Sequence, residues 1–283
     1  MEPRLAWGAK TYLMGIVNVT PDSFSGDGLA APGRSAHEIV AAALAQSRSF
    51  VAAGADILDV GAESTRPRSA YGDHPEVDAE SEAALAVPVV QALAAELGDR
   101  ALISIDTNKG MVARAALAAG AGMVNDVWGA RRDPDTALAA AEARAHLVLM
   151  HNQEGSDYPA GVFDTVAAWL REAVEAAVER GVSRERIVVD PGIGFGKGTA
   201  ENVELLRRLG ELKEALGGLP LLVGTSRKRF LGELLGGAAA DDRVEGTAAS
   251  VALAIAAGAD MVRVHDVAHI ERTRRVADAI IRS

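Results

Sequence analysis

The chain has 283 residues, 49% of them hydrophobic, no cysteine and a formal net charge of −10. It is long and apolar enough to bury a full core, while the missing cysteines exclude disulfides, thiol nucleophiles and Cys-ligated metal centres. The acidic balance argues against a nucleic-acid surface, which needs clustered Lys and Arg, and no apolar run reaches membrane-spanning length; with no basic-then-apolar leader after Met1, the expectation is a soluble, cytoplasmic protein.

Along the chain, short runs rich in Ile, Val and Leu end eight times in a polar residue: Asn18, Asp59, Asp106, Asn125, His151, Asp190, Thr225 and His265. An Ala-rich amphipathic stretch of helical length follows each run. That is the pattern of a β-strand feeding a crossover helix, the unit of a parallel sheet buried on both faces. Eight such units predict an α/β fold, a (β/α)8 TIM barrel occupying residues 1–283 as a single domain. A doubly wound open sheet is the runner-up; it would normally have fewer strands and a nucleotide fingerprint. In a barrel the eight polar endings converge on the C-terminal mouth, where ligands bind.

The first strand leads into Asn18-Val19-Thr20-Pro21-Asp22-Ser23-Phe24-Ser25-Gly26-Asp27-Gly28, turn formers with one aromatic and several oxygen-bearing side chains, suited to a loop that closes over a ligand. Ser35-Ala36-His37-Glu38 has capping-box spacing, which makes Glu38 structural. Three segments, 53–59, 119–125 and 257–263, share one plan: helix end, Gly stop, apolar residues, then a polar one. Gly suits a left-handed helix C-cap, and the shared spacing gives Asp59, Asn125 and Arg263 equivalent places near the mouth.

After the second strand, Gly61-Ala62-Glu63-Ser64-Thr65-Arg66-Pro67-Arg68 sets small hydroxyls beside a guanidinium, a combination able to hold phosphate oxygens. An anionic ligand needs such local positive charge against the global field; the run 226–229 and the Arg263/His265 pair are the other candidates. His151 has no second His at ligand spacing and is expected to be a satisfied or pocket-lining histidine, not a metal ligand. Gly192 to Thr199 has the wrong spacing for a Walker loop; it is expected to form a tight turn that brings Phe195 to the pocket, with Thr199 capping the next helix. Asp59 and Asp126 are expected to be barrel-mouth hydrogen-bonders with structural roles.

Seven segments in collinear order carry a resemblance: MGIVNVTPDSFS from Met14, ESTRP from Glu63, ISIDT from Ile103, NDV from Asn125, DPGIGFGK from Asp190, GTSRKRFLG from Gly224 and RVHDV from Arg263. Together they resemble the dihydropteroate synthases of the folate pathway. The resemblance implies a (β/α)8 barrel that joins 6-hydroxymethyl-7,8-dihydropterin diphosphate to p-aminobenzoate with Mg²⁺, releasing pyrophosphate, and it suggests a homodimer. It implies that Asp106, Asn125, Met150, Asp190, Phe195, Lys228 and Arg263 bind the pterin. Asn18, Thr65, Arg66, Arg263 and His265 would meet the diphosphate, with Asn18 at the metal. Phe24, Thr65, Pro67, Phe195, Lys228 and Arg229 would surround the p-aminobenzoate. Catalysis would rest on Asp106, Asp190, Lys228, Arg263 and Asn18.

The chemistry is consistent with those positions. A pterin edge of donors and acceptors calls for paired carboxylates and an amide on rigid strands. A departing diphosphate gains charge, so Mg²⁺, Arg and His⁺ there stabilise the transition state above the ground state. Loss of pyrophosphate to a pterin-methyl cation before amine attack is the expected course. Two alternatives share the barrel. A pterin-binding methyltransferase would not need the Ser64–Pro67 loop or the Arg263/His265 pair, and a binding paralogue would have lost the arylamine.

Overall fold

The computed structural model describes residues 5–20, 28–30, 33–63 and 77–282. Eight parallel strands lie in chain order around a barrel: β1 (Tyr12–Asn18), β2 (Ile57–Gly61), β3 (Leu102–Asp106), β4 (Met123–Asp126), β5 (His146–Met150), β6 (Ile187–Asp190), β7 (Leu222–Val223) and β8 (Met261–Val264). β8 pairs with β1, bringing Met14 beside Arg263. The seam between β6 and β7 is the thinnest part of the wall. A single bridge, Val189 to Leu221, spans it, with Val189 N–H donating to Pro220 C=O at 2.9 Å. The expected TIM barrel is therefore observed.

The helices pack outside: α1 (Ala36–Ala52), α2 (Ala79–Leu97), α3 (Gly110–Ala118), α4 (Asp135–Ala143), α5 (Val162–Glu179), α6 (Thr199–Arg207), α7 (Leu209–Ala215), α8 (Arg229–Leu234), α9 (Val244–Ala256) and α10 (Val267–Ile281). Several begin where local chemistry directs. Ser35 and Glu38 close the expected capping box on α1, and Asp78 accepts the Ser81 N–H at the start of α2, 2.8 Å away. Such caps contribute about 1 kcal/mol each. Gly54, Gly120 and Gly258 follow α1, α3 and α9 with φ of 104°, 109° and 95°, the left-handed stop expected of the repeated plan. The expectation for Thr199 is corrected: Gly198 is the cap residue of α6, and the Thr199 hydroxyl instead donates to Glu233 on α8.

Strand side chains alternate between two cores, as a sheet buried on both faces requires. Leu13, Leu58, Ile103, Val124, Val189 and Val262 face the helices in the larger core. Met14, Ile57, Leu102, Met123, Val188 and Met261 fill the barrel interior, and Leu5 and Trp7 pack against that inner set. Trp7 meets Tyr12 edge-on at 5.5 Å. Asp278 of α10 accepts from Thr11 N–H at 3.0 Å and Thr11 Oγ1 at 2.7 Å, tying the last helix to the first strand.

Candidate active site

The inner ladder turns polar two residues beyond its apolar layer. Asp59 follows Ile57, Asp106 follows Leu102 and Ser104, Asn125 follows Met123, Asp190 follows Val188 and Arg263 follows Met261. Met150 takes the same place two residues after Val148 and is buried. Asn18 ends β1 in phase with Met14. Side-chain period thus delivers these strand ends to one mouth; Thr225, expected there as well, is out of phase and instead accepts from Ser250 Oγ of α9 at 2.8 Å. Asp126 is out of phase and faces the helices, where it accepts from Thr136 Oγ1 and Trp128 N–H, both at 2.8 Å. Its role is structural, as expected, but its expected place at the mouth is corrected, because side-chain alternation turns it outward.

Arg263 ties the mouth together. Its Nε donates to Asp59 Oδ2 and one terminal nitrogen to Asp106 Oδ2, each at 2.7 Å. The same Asp59 oxygen accepts from Asn125 Nδ2 at 2.9 Å. The three residues that the repeated plan made equivalent are in direct contact. Asp59 Oδ1 and Asp106 Oδ1 are buried with no hydrogen-bond partner among the described residues. Burial pushes the Asp106 carboxyl up to about 7 against the pull of Arg263, and the charge of Asp59 pushes the same way. Burial also raises Asp190, opposed by Lys228 and by the Gly192 N–H that donates to its Oδ1 at 2.7 Å. Two carboxyls with free or shared lone pairs make the floor of the mouth an acceptor-rich surface.

The wall above Asp190 is the turn 191–198. Gly192 has φ of 69°, and a Cβ there would lie 1.9 Å from the His151 carbonyl oxygen, so neither its conformation nor its surroundings admit a side chain. Gly194, at φ 82°, lies where a Cβ would stand 2.8 Å from Lys228 Cδ. The bare backbone lets Lys228 cross the turn, donate to the Ile193 carbonyl and place Nζ 4.6 Å from the Phe195 ring centroid. Lys228, Asp190 and Phe195 therefore converge, as their assignment to one pocket requires.

Lys197 holds this turn from behind. Its Nζ lies 2.9 Å from His151 Nδ1 and donates to the carbonyls of Gly192, at 3.0 Å, and Phe195, at 2.9 Å. Burial, with the charge of Lys197 beside it, pushes His151 down to about 2, so the ring is neutral. Trp169 packs edge-on against it at 5.1 Å. The pocket-lining role expected for His151 becomes a more definite one, linking β5 to the turn after β6. Sequence spacing gave no sign of this partner, because the two residues are 46 positions apart.

After β7 and β8, the next strands round the barrel from β6, Ser226 Oγ accepts the His265 backbone N–H at 3.2 Å and lies 3.0 Å from His265 Nδ1. Arg227 adopts left-handed backbone, φ 58°, and forms a bidentate pair with Asp266 at 2.9 and 2.6 Å. Arg229 pairs with Glu233 on its own helix at 3.0 Å and is 60% exposed. Of the basic run, Lys228 alone is seen crossing to the pocket turn. Phe24, Thr65, Arg66 and Pro67 lie outside the described residues. Glu63, which precedes that second loop, accepts Lys109 Nζ at 2.6 Å and Val77 N–H at 3.1 Å, and Lys109 also pairs at 2.5 Å with the buried Glu82. Both ends of the second loop are thus tied to the loop after β3.

Among the described residues no group of three or more His, Asp or Glu is placed to hold a metal. Asn18, half-buried at the rim, offers one hard oxygen. That donor set fits Mg²⁺, which keeps several waters and is commonly held through substrate phosphates. Acceptors at Asp106 and Asp190, an amide at Asn125 and cations at Arg263 and Lys228 can seat a flat heterocycle rich in N–H donors, with an anion beside His265.

Residues 14–265 match the family model described as pterin binding enzyme. The dihydropteroate synthase of Bacillus subtilis is 41% identical over 98% of this chain and 91% of its own length. A crystal structure of dihydropteroate synthase from Clostridium difficile in the presence of pteroic acid superposes with a TM-score of 0.89 at 42% identity, covering 99% of this chain and 100% of that one. The Xanthomonas albilineans dihydropteroate synthase with 4-aminobenzoic acid gives a TM-score of 0.86 at 41% identity, covering 96% and 94%.

Proposed function

Because the chain belongs to the pterin-binding enzyme family, and within it to the dihydropteroate synthases, we infer from the mouth geometry how its residues divide the reaction. The protein is a transferase of folate biosynthesis that condenses 6-hydroxymethyl-7,8-dihydropterin diphosphate with p-aminobenzoate to give 7,8-dihydropteroate and pyrophosphate. The observation that carries the division of roles is the Asp59–Arg263–Asp106 bridge with Asn125, opposite Asp190 and Lys228.

Asp106, Asn125 and Asp190 bind the donor edge of the pterin, Lys228 gives it a donor, and Met150 and Phe195 border the ring. Arg263 stacks on its face. His265, with Arg263 and the loop residues Thr65 and Arg66, takes the diphosphate, and Asn18 would hold Mg²⁺. When bound, that ion would neutralise charge gathering on the leaving oxygens. The bond from the pterin methylene carbon to the diphosphate oxygen breaks, the electron pair leaving with pyrophosphate. The resulting cation is delocalised into the ring, over which the Asp106 and Asp190 carboxyls exert a stabilising field in their deprotonated forms. The arylamine lone pair then forms the C–N bond and the nitrogen loses a proton. Phe24, Pro67, Thr65, Lys228 and Arg229 would wall and orient the amine.

The same reading includes a cytoplasmic homodimer. Leu253 of α9 and Val276 and Ile280 of α10 are 69%, 62% and 71% exposed on two helices that pack together, an apolar surface that a second copy would cover. No helix among the described residues is long and apolar enough to cross a membrane.

The test is single-turnover kinetics with a series of para-substituted anilines, beside Asp106→Asn. Pyrophosphate release independent of amine nucleophilicity is expected, and the variant should lose turnover far more than pyrophosphate affinity. A rate that tracks nucleophilicity would establish concerted displacement, and equal losses would remove Asp106 from the cation.

A further inference from the structure

We propose that Asp59 is a positioning residue that fixes the Asn125 amide with its carbonyl oxygen, not its NH2, toward the pterin ring. The inference rests on the pterin site described above and concerns a residue that touches no substrate in that account. Asp59 lies on the inner face of β2, fully buried. Its Oδ2 accepts from Arg263 Nε at 2.7 Å and from Asn125 Nδ2 at 2.9 Å.

An Asn side chain has two orientations that differ by half a turn and exchange oxygen for nitrogen, with nearly the same shape. Here they differ greatly in energy. A carboxylate paired with a guanidinium has only acceptors to offer. With Nδ2 toward Asp59 the buried carboxylate gains a second donor; with Oδ1 toward it, two oxygens face each other where water cannot intervene. Arg263 holds the carboxylate in register from the other side, so the choice is built in before any ligand arrives.

The consequence is polarity. Asn125 Oδ1, on the other branch of the planar amide, is left as an acceptor, and Asn125 is the neighbour of Asp106 in the β3–β4 register. Asp106 Oδ1 is likewise without a donor. The floor then presents acceptors side by side, matched to a ring edge that presents N–H groups, as the amino-pyrimidine edge of a pterin does. A ring with a carbonyl oxygen at that edge would meet oxygen with oxygen. Asp59 thereby contributes to selecting the substrate class without contacting it.

The probe is 6-hydroxymethyl-7,8-dihydropterin, which carries the ring and no phosphate, titrated into wild type, Asp59→Asn, Asn125→Asp and the double variant Asp59→Asn/Asn125→Asp. Asp59→Asn is expected to weaken ring binding about tenfold or more, the range for a reversed buried hydrogen bond, and pyrophosphate binding by less. In the double variant an amide at position 59 can donate to a carboxylate at 125 and still accept from Arg263, leaving an acceptor toward the ring. It should recover affinity to within about threefold of wild type, on the same scale. A double variant no better than Asp59→Asn, or equal losses for ring and pyrophosphate, would overturn the proposal. Should Asp59→Asn not fold, wild type labelled with ¹⁵N-Asn decides. The Asn125 NH2 signals should be slow to exchange and show no contact with bound ring protons; contacts to the ring would overturn the assignment. Wild type that fails to bind the ring contradicts the proposed function itself. Ring binding unaffected by Asp59→Asn contradicts only the role of Asp59.

Discussion

Asp106 shows how one buried carboxyl carries conflicting demands. Burial and neighbouring acids raise it to about 7 while Arg263 pulls the other way, so the unfolded chain gives up this proton near pH 4 and the folded protein near 7. Between those values the folded state binds the extra proton, and stability contributed by this group falls as pH rises from about 4 to about 7, then levels. Measured by urea denaturation across that range, wild type should therefore lose stability relative to Asp106→Asn; a pH-independent difference between the two would contradict the shift. Lys197 bears the opposite kind of load, holding two carbonyls and a neutral imidazole together behind the pocket turn. Lys197→Met leaves those acceptors unpaired at about 1–3 kcal/mol each, so a melting-temperature drop accompanied by weakened pterin binding is expected, and an unchanged melting temperature would contradict it. Residue identities at the mouth were legible because strand ends in a parallel barrel have one destination. Asp59 was legible in place, as an equivalent of Asn125 and Arg263, but its partners were not, since a hydrogen bond across 204 residues of sequence has no local signal.

At the scale of elements, period did most of the specifying. Short apolar runs, each followed by a stretch of helical length, marked eight strands, and side-chain alternation along them separates Asp126, facing helices, from Asn125, facing the mouth. What sequence did not disclose was how loops are tied down. Lys109, at the start of α3, joins Glu63 to the buried Glu82; the cation comes from the third βα unit and both acids from the second, separated by 46 and 27 positions with no local signal of the pairing. Burial raises the Glu82 carboxyl against Lys109. Removing the cation alone leaves a buried acid unpaired, so Lys109→Met should cost about 3–5 kcal/mol in chemical denaturation. Lys109→Met/Glu82→Gln should recover much of it, since removing both charges removes the penalty. If the double variant is as unstable as the sum of the singles, the pair is not coupled. Helix boundaries were legible where a capping side chain wrote them, at Ser35. They were misread at Thr199, whose hydroxyl is taken by Glu233, a partner on another helix.

For the whole molecule, a net charge of −10 and a site for a diphosphate are reconciled by position. Arg263, Lys228 and His265 stand at the open end of the barrel. There low-dielectric walls strengthen the field of the charged side chains, while the neighbouring Arg227 pairs with Asp266 and Arg229 with Glu233. Closure depends on the ladder being continuous, and the β6–β7 seam has one bridge. Amide exchange should therefore be fastest, among the strands, at 221–223; equal protection of all eight would contradict this reading of the seam. The exposed side chains on α9 and α10 likewise predict a dimer in sedimentation at micromolar concentration, and a strictly monomeric species would contradict that assignment. This mouth joins a dihydropterin to an arylamine with departure of the diphosphate. The most direct measurement is pyrophosphate release by the purified protein with 6-hydroxymethyl-7,8-dihydropterin diphosphate and Mg²⁺, with and without p-aminobenzoate, the product identified by mass. Release accompanied by an equal amount of 7,8-dihydropteroate is the predicted result; a bound pterin with no condensation product would contradict it.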